Sequence, residues 1–389
     1  MTTDAVAERG FTPEKQEEEQ RVTPLELFFD LVFVFALTQV TALMSATPTW
    51  EGLLRGTLIL SALWWAWGAY SWLTNYIDTE QVTERLLLFA SMAAMLVAAL
   101  AVPNAFEEDG VLFGCAYALV RWLHIFIFAE ANDDVDAAGA IRRLARTALP
   151  APAMLIAAGF IESDWQYVLW VLALTVDFAG PFVFGVRGFQ VSAGHFAERF
   201  ALIVIIALGE SIVAIGVGAQ GLELDAGMIA AAVLGIVLAA ALWWAYFDVV
   251  ALVSERHFRE TRGYARSRMA RDSYSYLHLP MIAGVILIAL GVKKTLGDVD
   301  QPLKTVPAVA LFGGIALYYA GHIGFRLRNV RTLNKQRLVT AVVCLALIPV
   351  ATEVDALVAV AMAAAITSAL IAYEAIHFRE DRARVRAAH

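Results

Sequence analysis

The sequence predicts an all-α integral membrane protein with about 12 transmembrane helices, arranged as two parallel six-helix repeats with the N- and C-termini cytoplasmic. The composition, an internal repeat and the placement of basic residues support this prediction. Of the 389 residues, 60% are hydrophobic and only 17% are charged, and the mean hydropathy is +0.65. A soluble domain cannot bury that much apolar surface, so the chain belongs in a bilayer.

Twelve segments are apolar over the roughly 20 residues that a spanning helix requires. Because lipid offers backbone groups no hydrogen-bond partner, each segment is expected to be helical. The fifth and eleventh are the weakest, since both are rich in alanine and carry proline, and a tilted or interfacial helix is the alternative for each. The segments begin near Pro24, Trp50, Val82, Gly110, Ile141, Asp164, His195, Asp225, Asp272, Thr305, Leu333 and Val354.

Basic residues test this count, because Lys and Arg accumulate in cytoplasmic loops. With a cytoplasmic N-terminus, 24 of the 29 basic residues fall in inside segments. Removing one helix would place basic loops on both sides of the membrane, which supports the even count. The exceptions are Arg55 and Arg121, within helices, and Lys293, Lys294 and Lys304, in outside loops.

The apolar run Ala-Leu-Trp-Trp-Ala-Trp at 62–67 returns as Ala-Leu-Trp-Trp-Ala-Tyr at 241–246. The spacing between equivalent positions grows along the chain from 172 to 179, 189 and 199 residues, as expected if helices are duplicated and loops drift. An even number of helices gives both units the same orientation. The paired positions are Glu26 with Glu198, Ala62 with Ala241, Met92 with Met281 and Leu112 with Leu311.

The repeat divides the chain into a first unit at 24–190 and a second unit at 195–378. A polar tail at 1–23, expected to be disordered, precedes them, and a basic tail at 379–389 follows them. Transporters are often built from such repeats, with the substrate site near the membrane midplane between them. A twofold interface that is purely structural is the alternative.

The formal net charge of −8 says little about partners, because the acidic residues gather in short outside loops and in the N-terminal tail. Nucleic-acid binding is not suggested, and the lipid bilayer is the predicted partner. A bound lipid at the basic stretch 256–271 is an alternative to a role in topology alone, and a homodimer stays open. Both cysteines, Cys115 and Cys344, fall within helices, so no disulfide framework is predicted.

Charged groups inside a bilayer are costly, and each needs a partner. Glu26 and Asp30 are four residues apart and share one face of the first helix, with Asp30 about one turn deeper. Two acids this close do not both ionise freely in a dry setting. A proton or cation site is one interpretation. A carboxylate bonded to a nearby Arg, Tyr or helix N-terminus is the other, and it is favoured for Glu26.

Glu210 is the sharpest candidate for a functional acid, because it lies about 18 Å along its helix, near the midplane. The preceding Gly209 permits a close neighbour or an unwound turn. A carboxylate at this depth must be protonated, paired with a cation or exposed to water. Arg121, at a similar depth in the fourth helix, needs an anion, which could be Glu210, Asp30, Asp177 or a substrate group.

Four further ionisable residues fall in the inner part of their helices and, with Asp30, make the predicted cytoplasmic half more polar. This asymmetry suits a water-filled vestibule or a proton relay, although for any single histidine a core hydrogen bond is the alternative. His124 follows Arg121 by three residues and shares its face. No two histidines have a short paired spacing, so no metal or other cofactor is predicted. The four residues are Asp177, Asp248, His278 and His322.

Two tryptophan pairs, Trp64 with Trp65 and Trp243 with Trp244, lie well within their helices and are not simply an interfacial belt. Adjacent residues point roughly 100° apart, so each pair covers two faces. One member could face lipid while the other lines a cavity, where it could stack a cation or an apolar ligand. Core packing is the favoured alternative.

Three motifs resemble the bacterial low-temperature-requirement A (LtrA) family. The first is Glu-Leu-Phe-Phe-Asp-Leu-Val-Phe-Val-Phe-Ala at 26–36. The second joins Glu-Arg-Phe at 198–200 to Leu-Gly-Glu-Ser-Ile-Val-Ala at 208–214, and the third is Tyr-Leu-His-Leu-Pro at 276–280. The resemblance covers nearly the whole chain. It implies a multipass protein of the bacterial inner membrane, linked with growth in the cold and the stress response to it, with no settled biochemical activity.

The leading hypothesis is a secondary transporter, with protons as the candidate coupling ion and a site between the halves. A membrane-embedded enzyme or redox protein is the second class, and a non-transporting sensor or assembly protein the third. No phosphate loop, nucleophile elbow or metalloprotease motif occurs, which disfavours an enzyme. A structural protein should pair Glu210 directly with Arg121 in a dry core. The hypothetical transport site consists of Asp30, Arg121, Glu210 and Asp248.

Overall fold

The computed structural model describes residues 21–77, 81–131, 135–221 and 223–387, which form helices joined by turns and loops, with no β-strand among them. Residues 1–20 of the predicted polar tail lie outside this description. The helices are α1 (Pro24–Ala46), α2 (Trp50–Leu73), α3 (Val82–Ala101), α4 (Gly110–Glu130), α5 (Val135–Ala148), α6 (Pro150–Ala158), α7 (Trp165–Val183), α8 (Ala193–Gly218), α9 (Ala226–Phe247), α10 (Val250–Glu260), α11 (Gly263–Met269), α12 (His278–Gly297), α13 (Thr305–Ala308), α14 (Gly314–Val330), α15 (Lys335–Ala351), α16 (Ala356–His377) and α17 (Arg379–Ala387).

Nine helical segments of the described chain are long and apolar enough to cross a membrane, which confirms the predicted multipass helical class. They are Pro24–Ala46, Val82–Asn104, Gly110–Glu130, Trp165–Val183, Ala193–Gly218, Ala226–Glu260, Gly263–Gly297, Thr305–Val330 and Ala356–His377. The twelve-helix count, the two repeats and the orientation of the termini stay predictions.

The other three predicted spans are helical but carry weaker signals. Helix α2 is 24 residues long and carries Glu51 and Arg55 near its start. The predicted fifth span is two helices, α5 and α6, which meet at Leu149. Pro150 lacks the N–H that would continue the hydrogen-bond ladder of α5, so a new helix starts there. Helix α15 has 17 residues.

The start of α1 is set by a capping box. The Oγ1 of Thr23 accepts a hydrogen bond from the Glu26 N–H at 3.3 Å, and Glu26 Oε2 accepts one from the Thr23 N–H at 2.8 Å. Pro24 occupies the first helical position, where its missing N–H costs nothing. The cap holds Oε2 of Glu26 at the helix end, which leaves Oε1 for a partner on another helix.

Helices α1, α8 and α12 pack against one another, and α2 joins them through its aromatic residues. Trp64 and Trp67 of α2 are fully buried, and both rings meet the ring of Phe200 on α8, at centroid distances of 6.0 and 5.0 Å. Edge-on aromatic pairs of this kind add to the stabilisation from area burial. The repeated tryptophan segment of α2 therefore lies against the seventh predicted span.

Two of the membrane-length segments contain π-helical stretches, Ala270–Tyr276 and Val309–Gly313. A π turn takes carbonyl groups out of the usual hydrogen-bond ladder and makes them available to other partners. Here the carbonyl oxygen of Ser275 accepts a hydrogen bond from Trp64 Nε1 at 2.8 Å, and the Ser275 hydroxyl accepts one from Trp72 Nε1 at 2.9 Å. The first π stretch thus fixes the orientation of two tryptophan rings of α2.

Candidate functional site

The two acids of α1 meet two basic residues of α8. Glu26 Oε1 lies 2.9 Å from His195 Nε2 and 3.0 Å from Arg199 Nη1. Asp30 Oδ1 lies 2.9 Å from Arg199 Nη2 and also accepts a hydrogen bond from Trp67 Nε1 at 2.8 Å. The side chains of the two acids and of Arg199 are each 1% exposed. The α1–α8 ion cluster, formed by Glu26, Asp30, His195 and Arg199, therefore joins two spans across a dry contact.

Of the two interpretations of Glu26 and Asp30, the α1–α8 ion cluster matches the carboxylate bonded to a nearby arginine. Both acids share the guanidinium of Arg199, which lies one turn after His195 on the same face of α8. The shared arginine gives each buried carboxylate a cation within hydrogen-bond distance, which offsets part of the cost of burying it.

Arg121 pairs with Asp177, one of the three acids that the sequence left open for it. Arg121 Nη2 donates to Asp177 Oδ1 at 2.9 Å, and the two side chains are 1% and 2% exposed. The pair joins α4 to α7. Arg121 Nε and Nη1 and Asp177 Oδ2 are buried and have no hydrogen-bond partner among the described residues. The guanidinium is therefore only partly satisfied by its own protein.

Glu210 is buried in α8 and is bonded to a hydroxyl rather than to a cation. Its Oε2 accepts a hydrogen bond from Thr38 Oγ1 of α1 at 2.5 Å, and its Oε1 has no partner among the described residues. Helix α8 runs unbroken through Gly209, so the unwound turn that the sequence allowed is absent here. The Cβ of a larger residue at Gly209 would meet no atom within 4 Å.

Three further predicted site residues have different hydrogen-bond or ion-pair partners. Asp248, just past the end of α9, is paired with Arg382 and Arg386 of α17. His278 Nε2 lies 2.8 Å from the hydroxyl of Tyr246. His322 Nδ1 lies 2.8 Å from a guanidinium nitrogen of Arg337 on α15.

The structure does not bring the hypothetical transport site together. Asp30, Arg121, Glu210 and Asp248 have four different sets of partners, and among the described residues no hydrogen bond or ion pair links any two of them. Glu210 and Arg121 are likewise not paired with each other. The purely structural alternative required that pair.

Sequence reasoning assigned no site role to two of the arginines that carry buried ion pairs. Arg199 and Arg337 were counted only as basic residues of inside segments, yet their side chains are 1% and 6% exposed. Arg337 donates to both carboxylate oxygens of Glu374 at 3.0 Å. Their position in the sequence indicates such a role, because both arginines lie within the first turns of apolar helices, where a buried cation needs an anion.

An aromatic cavity lies between α2, α4 and the first π stretch. It is the space bordered by Trp64, Trp65, Trp72, Arg121, His124 and Arg271, with about 580 Å³ of empty space counting its open side. The tryptophan pairs differ in environment, since Trp64 and Trp65 border this cavity, whereas Trp243 and Trp244 are 45% and 42% exposed on the surface of α9.

His124 is the least satisfied of the three predicted membrane histidines. It is 1% exposed, and neither of its ring nitrogens has a hydrogen-bond partner of good geometry among the described residues. Its ring packs against Tyr70, with a centroid distance of 5.5 Å. Within the described ranges, no group of three or more His, Cys, Asp or Glu side chains could hold a metal ion.

Comparison with known proteins identifies sequence relatives but no related solved structure. The model of a family described as bacterial low temperature requirement A protein (LtrA) matches residues 21–372. An uncharacterized protein of Rhizobium meliloti (strain 1021) is 32% identical over 320 residues, which cover 79% of this chain and 78% of the relative. No solved structure matches the chain.

Proposed function

The chain belongs to the bacterial low temperature requirement A (LtrA) family, and we propose that it is a proton-coupled secondary transporter of the bacterial inner membrane, built from two parallel six-helix units with cytoplasmic termini. The substrate is unidentified. Glu210 is the proposed proton-binding residue. The main observation behind this proposal is that the carboxylate is buried in a membrane-length helix and that no basic side chain of the described residues lies within 4.0 Å of it.

The two-unit arrangement is supported by equivalent contacts in the two halves of the chain. Helix α1 packs on α3 as α8 packs on α12; α3 packs on α4 as α12 packs on α14; and α2 packs on α7 as α9 packs on α16. Thr38 and Glu210 occupy equivalent positions, 172 residues apart, and they touch each other. Residues related by a twofold axis meet in this way only near the axis itself.

Glu210 differs from the other buried acids of the membrane segments. Glu26, Asp30, Asp177 and Glu374 each have an arginine within 3.0 Å. Glu210 has no basic side chain within 4.0 Å among the described residues, and Lys293 of α12 acts on it only from a longer distance. A lone carboxylate in an apolar setting must hold a proton or take up a cation. In the proposed mechanism, reversible protonation at the contact between the two units couples proton binding to the movement of one unit against the other.

The test measures proton flux in proteoliposomes that contain a pH-sensitive dye. The flux is driven by an imposed pH gradient in one set of experiments and by a panel of small organic acids in another. Glu210→Gln is expected to lower the flux by about tenfold or more, because the amide keeps the hydrogen bond to Thr38 but cannot exchange a proton. The same change should leave folding intact, since Gln has the shape of the protonated acid.

Glu198→Gln is the matched control, because Glu198 lies on the same helix at an exposed position and, among the described residues, accepts a hydrogen bond only from the Val22 N–H, at 3.2 Å. Its flux should equal that of the parent. Equal flux in the parent and in Glu210→Gln would contradict the assignment of Glu210. A parent that moves no more protons than empty vesicles would contradict transport itself.

A further inference from the structure

The aromatic cavity contains buried hydrogen-bond donors that the protein leaves unused. Arg121 is 1% exposed and uses Nη2 on Asp177, but its Nε and Nη1 have no partner among the described residues. His124, one turn later on α4, borders the same cavity, and neither of its ring nitrogens has a hydrogen-bond partner of good geometry among the described residues. Leaving a charged donor buried and unsatisfied is costly, so an acceptor is expected to enter the cavity.

The charge around the aromatic cavity favours an anion. Two of the described residues that line it are arginines, Arg121 and Arg271, and none is a carboxylate. Asp177 balances Arg121, whereas Arg271 and Arg328 share the single carboxylate of Asp272, at 2.6 and 2.8 Å. Among Arg271, Arg328 and Asp272, one positive charge is therefore in excess. A monoanion would offset this charge and would accept hydrogen bonds from the free N–H groups of Arg121.

The rest of the cavity is shaped for a flat apolar group. Trp64 and Trp72 are held by their hydrogen bonds to Ser275, and Trp65 stacks on Phe178 with a centroid distance of 4.2 Å. Rings held in this way are already ordered, so a ligand that stacks on them pays little for immobilising them. Gly68 also borders the cavity, and a Cβ built there would meet no atom within 4 Å. The space that a side chain at position 68 would fill is therefore part of the cavity.

We propose that the aromatic cavity binds a small monoanionic organic acid, with its acid group against Arg121 and His124 and its flat apolar body against the tryptophans. The cavity is open on one side, and its empty space of about 580 Å³ includes that opening. The inference concerns binding alone, so it stands or falls separately from proton-coupled transport and from Glu210.

The probe is 1-naphthoate, compared with 1-naphthamide and 1-naphthylmethylammonium, which share the ring and differ in charge. Binding is measured by equilibrium dialysis of the purified full chain in detergent against protein-free micelles. Naphthoate is expected to bind at least about tenfold more tightly than the neutral or cationic analogue, because hydrogen bonds from the guanidinium to a carboxylate are charge-assisted and stronger. Equal binding of the three would overturn the proposed anion preference.

A second comparison locates the bound probe. Gly68→Leu fills the empty space without removing any contact, and leucine in a helix interior is more favourable than glycine. Gly216→Leu is the matched control, since Gly216 is exposed on α8 and also has no atom within 4 Å of its Cβ position. Gly68→Leu should weaken naphthoate binding by about tenfold or more, and Gly216→Leu should not change it.

Size-exclusion profiles and circular dichroism of the two glycine variants establish that both are folded. Naphthoate binding that survives Gly68→Leu unchanged would show that the probe lies elsewhere and would overturn the proposal. Loss of binding in both variants would do the same, because the control position is remote from the cavity.

Discussion

Arg199→Leu is expected to be among the most destabilising single substitutions in this chain. The change removes the one guanidinium that Glu26 and Asp30 share at 3.0 and 2.9 Å, and both carboxylates stay buried. Removing one partner of a buried ion pair costs about 3–5 kcal/mol, because the other charge is left without compensation. The measurement is the midpoint of SDS-induced unfolding in detergent, followed by circular dichroism and tryptophan fluorescence.

Two further variants test whether the loss of stability comes from the buried carboxylates that are left without a cation. Adding Asp30→Asn to Arg199→Leu removes one of the uncompensated carboxylates, so the double variant should be more stable than Arg199→Leu alone. Arg256→Leu is the matched control, because Arg256 forms an i,i+4 pair with Glu260 and its side chain is 64% exposed. Such surface pairs contribute about 0–1 kcal/mol. If Arg199→Leu cost no more than Arg256→Leu, the α1–α8 ion cluster would not stabilise the fold.

Gly284→Leu is expected to disrupt the contact between α12 and α14. A Cβ at Gly284 would lie 2.6 Å from the carbonyl oxygen of Gly314 and 2.8 Å from the backbone nitrogen of Tyr318. These atoms belong to a helix backbone and cannot rotate away, so the two helices must separate. Close contacts through small residues are a principal source of helix association in membranes. A loss of about 3 kcal/mol or more is expected, at the upper end of what overpacking costs.

Gly297→Leu is the control for this substitution on the same helix, since a Cβ at Gly297 would meet no atom within 4 Å. It should leave the SDS unfolding midpoint near that of the parent. The corresponding substitution on the facing helix, Gly314→Leu, should be as destabilising as Gly284→Leu, because its Cβ would lie 2.8 Å from the Gly284 carbonyl oxygen. Normal stability of Gly284→Leu would mean that α12 and α14 do not approach as closely as described.

The helical class and many helix boundaries could be predicted because they depend on local sequence. The first four segments begin at the residues expected from hydropathy, and α1 carries the predicted Glu26 and Asp30 on one face. The fifth segment was less accurate, since Pro150 splits it into two helices. Hydropathy is summed over a window and does not register the single missing N–H that ends a helix.

The partners of the charged residues could not be predicted in the same way. Arg121 had several candidate anions, and its partner Asp177 is 56 residues away on another helix. Equivalent tryptophans likewise differ, because Trp64 is fully buried and Trp243 is 45% exposed. A repeated motif places these residues at equivalent helix positions, but the neighbouring helices decide which face is covered.

Sequence alone determined that this chain is helical, is apolar enough for several membrane passes and resembles one bacterial family, because hydropathy and motifs are properties of contiguous residues. Tertiary structure decided that Arg199 ties Glu26 and Asp30 to α8, that Glu210 meets Thr38 instead of Arg121, and that Arg121 keeps unused donors beside an aromatic cavity. The physical reason is that ion pairs and cavities depend on how helices are rotated and packed against one another, and side chains far apart in the chain set that packing.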